Sequence, residues 1–295
     1  MRLFCFGLGY SALHFLQSRE DIVASGTARS AEKVASLRSR GIDAYLFDGL
    51  RGDIALLGAL NQAQALLISI PPGEGGDPVL ASLASDIAQN ADLARIIYLS
   101  TIGVYGDHAG AWVDETSACA PASARGQARL VAERQWQALG ENHNAAVHVL
   151  RLAGIYGPGR NLLERLRVGD ARRIVKPGQK FNRIHVADIA QAISLTLASP
   201  GPGAIWNVAD EEPAPPQEVI AFAADLLRLA PPPEEAYDTA AMTPMARSFY
   251  ADNKSVSIHK LKRELGFAPR YPTYREGLRA LAAELGSAAA TPPES

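Results

Sequence analysis

The chain has 295 residues, 47% of them hydrophobic and 20% charged, a globular composition that excludes a wholly disordered, collagenous or coiled-coil chain. Lys and Arg number 29 and Asp and Glu 31, a net charge of −2. This lacks the basic excess that phosphate-backbone binding demands, so nucleic acid is not an expected partner. Two cysteines, Cys5 and Cys119, and six histidines without an HExxH or CxxC companion predict neither a disulfide framework nor a metal site, and fit a reducing cytoplasm.

The first half alternates two patterns. Leu3–Phe6 reads as a short buried strand and 11–18 as a helix; 22–25 is strand-like, and 31–40 is helical with Val34 and Leu37 on one face. A third strand at 44–47, a helix at 54–60, a strand at 65–70 ended by Pro71 and Pro72, a helix at 79–90 and a strand at 95–100 follow. A strong helix at 127–139 leads to a strand at 146–151. Strands alternating with helices predict parallel βαβ units with right-handed crossovers, hence a doubly wound parallel sheet of the α/β class. Beyond Gly157 the pattern loosens, with helices at 161–168 and 184–198, a strand at 205–208 and a helix at 217–229. Pro231–Pro233 break the chain, and helices at 257–265 and 274–285 precede a small-residue tail, 286–295, that reads as disordered. Arg2 and the run from Leu3 to Leu16 look superficially like a leader, but Gly7, Gly9, Ser11 and His14 interrupt it and no small-residue cleavage site follows. No stretch approaches the ~20 apolar residues of a membrane helix.

The first strand runs into Gly7-Leu8-Gly9-Tyr10-Ser11-Ala12, a G-x-G-x-x-A between strand and helix. The first glycine permits the tight turn, the second lets backbone approach a pyrophosphate, and Ala12 allows close helix–strand packing. The following helix N-terminus offers free N–H groups to phosphates. The bland alternative is a glycine turn that only packs. Twenty positions after Gly9, where a carboxylate would bind the ribose 2′-hydroxyl of NAD, stands Arg29. It can pair with a 2′-phosphate, helped by Thr27 and Ser30, which favours NADP over NAD; a solvated arginine is the alternative.

Several segments then carry a family likeness. Tyr98-Leu99-Ser100-Thr101-Ile102-Gly103-Val104-Tyr105-Gly106-Asp107 with Val113-Asp114-Glu115, Arg151-Leu152-Ala153-Gly154-Ile155-Tyr156-Gly157-Pro158-Gly159, Ile184–Ala190 and Tyr271–Leu278 resemble the extended short-chain dehydrogenases/reductases. These include the NAD(P)-dependent epimerases and dehydratases of nucleotide sugars, and the likeness spans residues 1 to about 285. It implies a Rossmann-type domain over 1–157, with 181–200 returning to it, and a substrate lobe over 158–285. It implies that Thr101, five residues before Gly106, is the catalytic Ser/Thr, with Ser100 beside the cofactor. Ser69, Ile70 and Pro71 would flank the cofactor ribose, Asp48 would approach the adenine, and Ala153, Gly154 and Ile155 would lie near the nicotinamide.

The family's Tyr-x-x-x-Lys pair is missing. Counting back from Ala132-Glu133, its positions hold Arg125 and Arg129. Arginine stays charged in proteins, so it can anchor an anion or polarise an oxygen but is a poor general acid. The glycine pattern departs as well, since most extended members carry G-x-x-G-x-x-G; both departures point to an atypical branch. His185 is the candidate proton donor. Tyr105, Asn161, Arg183 and Arg247 are candidate substrate contacts, Tyr105 with packing as its ordinary role, and the basic stretch from Arg160 to Lys176 is either a solvated face or a diphosphate clamp. Two readings stay open: an NADP-dependent reductase, epimerase or dehydratase acting on a small hydroxyl or carbonyl substrate, such as a nucleotide sugar, and an NADP-binding regulator or sensor that lost catalysis with its tyrosine. A homodimer is compatible with either.

Overall fold

The computed structural model describes residues 1–50, 52–73 and 75–290, with side chains to residue 286. The N-terminal third alternates as the sequence predicts: β1 (Arg2–Phe6), α1 (Tyr10–Gln17), β2 (Val23–Ala28), α2 (Ala31–Arg38), β3 (Asp43–Leu46), α3 (Ile54–Asn61), β4 (Ala65–Ile68), α4 (Pro78–Ala88) and β5 (Arg95–Thr101). After a 3-10 turn at Ile102–Tyr105 come β6 (Trp112–Val113), α5 (Ala124–His143), β7 (Ala146–Leu152), β8 (Gly154–Tyr156), α6 (Leu162–Arg167), β9 (Arg173–Val175) and β10 (Arg183–His185). The chain closes with α7 (Val186–Ala198), β11 (Ile205–Val208), α8 (Pro216–Leu226), β12 (Glu234–Ala236), α9 (Pro244–Phe249), β13 (Ser255–Val256), α10 (His259–Leu265) and α11 (Tyr274–Ala290).

Seven strands form one parallel sheet in the order β11-β7-β5-β4-β1-β2-β3. The short apolar runs are strands because both of their faces are buried. In β1, Leu3 and Cys5 pack with Phe15 of α1, Leu37 of α2 and Ile193 of α7, while Phe4 and Phe6 pack with Leu60 of α3, Leu83 of α4 and Trp136 of α5. The period-two alternation repeats in β4, β5 and β7, as a sheet sandwiched between two helical layers requires. Strand order reverses at β1, between β4 and β2. In open sheets of this kind, ligands bind in the crevice outside the carboxyl ends of the strands at that switch point.

A second core holds Tyr156, Leu163, Leu166, Val219, Ile220, Tyr274 and Leu278, built from α6, α8 and α11 beside the two-stranded pairs β8–β10 and β9–β12. Three segments differ from expectation. The helix read over 184–198 splits at His185, because Arg183–His185 pair in register with Gly154–Tyr156 and α7 begins only at Val186. The helix α5 starts at Ala124 rather than Gln127, capped by Ser123 Oγ, which accepts from Gly126 N. The tail expected to be disordered from 286 is helical through Ala290, since α11 continues past Leu285 on Ala-rich sequence that favours helix; 291–295 lie outside the described residues.

Candidate active site at the carboxyl edge of the sheet

The turn after β1 is held from both neighbours. Gly7 N donates to Thr27 Oγ1 (2.9 Å) and Leu8 N to the Thr27 carbonyl (2.7 Å), while Ser69 Oγ donates to the Gly7 carbonyl (2.6 Å). Gly7 sits at φ +93°, and a Cβ there would lie 2.7 Å from Ser69 Oγ, so glycine is required. Gly9 differs: it is exposed, and no heavy atom lies within 4 Å of where its Cβ would be. It is the N-cap of α1, provides no side-chain cap, and the first turn carries no acid. The first N–H groups of α1 therefore face an open, electropositive cradle, next to Tyr10 and the buried Ser11. Tyr10 Oη donates to the Pro158 carbonyl (3.0 Å), and the Arg160 guanidinium lies 5.8 Å over its ring.

At the end of β2 the three expected 2′-phosphate ligands separate. Thr27 is buried and spends its hydroxyl oxygen on Gly7 N; Ser30 Oγ caps α2 by accepting from Lys33 N (3.3 Å). Arg29 is exposed and takes no hydrogen bond among the described residues. Asp48, exposed after β3, accepts from Leu50 N (3.1 Å), and Ser69, Ile70 and Pro71 follow β4 along the same edge.

Thr101 closes β5. Its Oγ1 accepts from Gly103 N (3.1 Å), so the hydroxyl proton stays free to donate outward. Ser100 is buried and donates to Glu133. Arg125 is exposed, its guanidinium 5.6 Å from the Phe249 ring. Arg129 donates to the Leu99 carbonyl (2.5 Å) and to Tyr98 Oη (3.3 Å), which ties α5 to β5 just before Thr101. Tyr105 is fully buried, donates to Asn207 Oδ1 (2.8 Å), and burial pushes its phenol up to about 12; it packs rather than titrates near neutrality.

His185 accepts from Ala187 N (3.2 Å) through Nδ1 and thereby caps α7. The ring is buried between Tyr156 and Tyr271, centroids 5.2 and 4.2 Å away, with Nε2 unpartnered, and burial pulls its pKa down to about 4. A ring held neutral in this way is a poor proton source at neutral pH. Ala153 is buried, whereas Gly154 and Ile155 reach the surface in β8. Asn161 caps α6, accepting from Glu164 N (3.1 Å) and donating to the Gly157 carbonyl (3.1 Å); Arg247 donates to the Ala240 carbonyl (3.0 Å) and stacks over Tyr237 at 4.9 Å. Of the four substrate candidates, Arg183 lines a cavity of about 260 Å³ between β8, β10, α6, α8 and α11.

Sequence reading missed a buried ion pair beneath this edge. Arg151 of β7 donates through Nη2 (2.8 Å) and Nε (3.2 and 3.3 Å) to the Glu133 carboxylate of α5, both side chains at least 95% buried. Arg151 also lies 4.8 Å over the Tyr105 ring. Burial pulls the arginine's pKa down, but the Glu133 hydrogen bonds and charge outweigh it, so the net shift is upward. A charge inside an otherwise apolar strand was the available signal. Among the described residues no group of three or more His, Cys, Asp or Glu could hold a metal ion, and no helix is long and apolar enough to cross a membrane.

A doubly wound sheet carrying a glycine turn, an exposed helix N-terminus and a Thr101-type strand end on one edge defines a Rossmann-type protein of the epimerase/dehydratase class. Residues 79–209 match the NAD dependent epimerase/dehydratase family. Protein YeeZ of Escherichia coli K12 is 30% identical over 259 residues, covering 84% of this chain and 87% of that protein. A solved structure of a functionally unknown conserved protein from Silicibacter pomeroyi DSS is 48% identical, with a TM-score of 0.88 over 96% of this chain and 98% of that one. The UDP-glucuronic acid 4-epimerase of Bacillus cereus, solved in complex with NAD, shares the fold at 18% identity, with a TM-score of 0.75 over 98% and 99% of the two chains. The chain belongs to the NAD dependent epimerase/dehydratase family.

Proposed function

We propose that this protein binds a nicotinamide dinucleotide along the carboxyl edge of its sheet, NADP in preference to NAD, and acts as an oxidoreductase or epimerase/dehydratase on a small hydroxyl or carbonyl substrate in a reducing cytoplasm. The observation that carries the reading is the open cradle at Gly9, where a side chain would project into space a pyrophosphate can fill while uncapped N–H groups of α1 face it. Arg29 supports the NADP preference: it is exposed, unpaired among the described residues, and stands where a carboxylate would select NAD. When bound, the nicotinamide supplies or accepts a hydride. Around it the chain's own groups hold the substrate. The free hydroxyl proton of Thr101 donates to the reacting oxygen, and Arg125 offers a charge-assisted donor at the mouth. Neither arginine releases a proton and His185 is kept neutral, so water moves the proton to and from the substrate oxygen.

One observation favours the second reading, a non-catalytic NADP-binding sensor. Arg129, at the lysine position, is spent on the Leu99 carbonyl and Tyr98. Fluorescence titration with NADPH and NADH, followed by hydride exchange against a panel of carbonyl compounds, tests both. Tighter NADPH binding with turnover supports the enzyme, tight binding without turnover the sensor, and no binding of either dinucleotide refutes the proposal.

A further inference from the structure

The cavity behind β10 holds polar groups that have nothing to bind. Tyr156 Oη and Tyr274 Oη are buried without a hydrogen-bond partner among the described residues, although buried hydroxyls are nearly always paired. The position of Tyr156 is enforced: a Cβ on Gly277 of α11 would lie 2.0 Å from its Oη, so α11 carries glycine where the phenol comes to rest. Arg183 lines the same cavity, 5.8 Å over the Tyr274 ring. Its Nη1 donates to the carbonyls of Phe181 (2.9 Å) and Ala214 (3.3 Å), while among the described residues Nε and Nη2 take no hydrogen-bond partner and no carboxylate forms an ion pair with it. The nearest candidate counter-charge is Asp210, buried with Oδ2 unpartnered; burial pushes its carboxyl up to about 8 despite Arg183, which disfavours its charged form. Arg183 is half-buried, and its spare donors at the cavity wall are available to an anion.

We propose that this cavity anchors a small monocarboxylate with an apolar or aromatic body, its carboxylate held by Arg183 and by the hydroxyls of Tyr156 and Tyr274. An ionised carboxylate offers about four lone-pair sites and takes a guanidinium bidentately, which matches one arginine and two phenol donors. The body meets Leu162, Phe181, Val219, Ile220 and Leu278. Three features select this class over a phosphate dianion or a nucleoside diphosphate. The volume is about 260 Å³, enough for a compact acid. Only Arg183 brings an unpaired charge, since Arg165 is engaged by Asp170 and Arg172 by Glu235. The lining is otherwise aliphatic and aromatic. Resting on the function proposed above, the inference also fixes the direction of the substrate. Arg183 pairs in register with Gly154, which the family likeness sets beside the nicotinamide, so an acid anchored here extends its reactive end to the sheet edge.

Calorimetric titration of the full chain with phenylacetate, benzoate and hexanoate, against inorganic phosphate and UDP, tests the assignment. Phenylacetate is expected to bind more tightly than phosphate or UDP. Arg183→Gln is expected to weaken it by at least about tenfold, and Tyr274→Phe, which removes one hydroxyl and no packing, by about three- to tenfold. The phenylalanine variant reports even where loss of the arginine unfolds the lobe. Tighter binding of phosphate or UDP, or unchanged phenylacetate affinity in Tyr274→Phe, overturns the inference. NADPH is titrated into the same samples: NADPH binding without carboxylate binding overturns this inference alone, whereas carboxylate binding without NADPH binding supports it and refutes the dinucleotide reading.

Discussion

The buried pair Arg151–Glu133 makes the sharpest demand on the structure. Glu133→Gln keeps the shape of the side chain and removes its charge. Arg151 would then keep a full positive charge with about 4% of its side chain exposed, Nη1 already unpartnered, and only neutral groups, the new amide oxygen and the Tyr105 ring, to face it. Removing one partner of a buried pair costs about 3–5 kcal/mol, a large share of the ~5–15 kcal/mol that holds a protein folded, and lowers Tm by roughly 6–20 °C. Ser100 loses its charged acceptor in the same step. The double replacement Glu133→Leu with Arg151→Met removes both charges, and the stability should return to within about 1–2 kcal/mol of the parent, because apolar substitution of a whole buried pair is often neutral or better. Urea unfolding followed by circular dichroism on the parent, Glu133→Gln, the single variants Glu133→Leu and Arg151→Met, and the double variant gives both the cost and the coupling energy. A Glu133→Gln loss under about 1 kcal/mol would refute the reasoning, since it would mean that the guanidinium is solvated or re-paired on losing its partner.

Gly9→Val should leave the fold intact, because its Cβ meets nothing within 4 Å, yet abolish dinucleotide binding; unchanged NADPH titration removes the pyrophosphate assignment. Arg29→Ala should weaken NADPH by about 10–100-fold, the worth of a charge-assisted contact, and leave NADH nearly unchanged; equal losses for the two count against a 2′-phosphate contact. Asp210 titrates at about 8 when folded against 3.8 for an exposed carboxyl, so the folded state holds its proton more tightly, and the stabilisation present below about pH 4 is lost as pH rises through 8. Asp210→Asn, which keeps an acceptor for Glu212 N, should therefore flatten the fall in urea midpoint between pH 5 and 9, and an unaltered slope refutes the burial argument. If Arg125 and Arg129 only mark a lost dyad, Arg125→Tyr with Arg129→Lys should raise hydride transfer to a carbonyl substrate; a loss of substrate affinity instead assigns the arginines to an anion.

What could be read in the sequence was local. The runs 3–6 and 65–70 are apolar on both faces because helices cover both, and the glycine turn follows from its place between such a strand and a helix. Arg129 could be placed on the helix that carries Ala132 and Glu133, but not its commitment to the Leu99 carbonyl, since a helix face does not reveal which strand lies beneath it. Thr27 and Ser30 have the right chemistry for a phosphate at the right spacing. Both spend their oxygens on backbone N–H groups, a use that hydroxyl residues find wherever a turn or a helix begins. His185 misled for a related reason. Caps are read from Ser, Thr, Asp and Asn, and an imidazole in that role, preceded by a three-residue strand, has no signature distinguishing it from the first turn of a helix.

The two ends of the cleft also differ in how their parts are distributed along the chain. The proposed dinucleotide cradle draws Gly7, Gly9 and Thr27 from one βαβ unit, so spacing alone brings them together. The anchor in the C-terminal lobe draws Tyr156, Arg183 and Tyr274 from β8, β10 and the start of α11, segments joined only by the packing of a second core. No periodicity links residues so far apart. Within a family that shares its cofactor fold, such an assembly can change its ligand by altering a few scattered side chains while the glycine turn stays fixed. On the proposal made above, the choice of ligand would rest on Arg183 and the two phenols unpaired among the described residues more than on the motifs that identify the family.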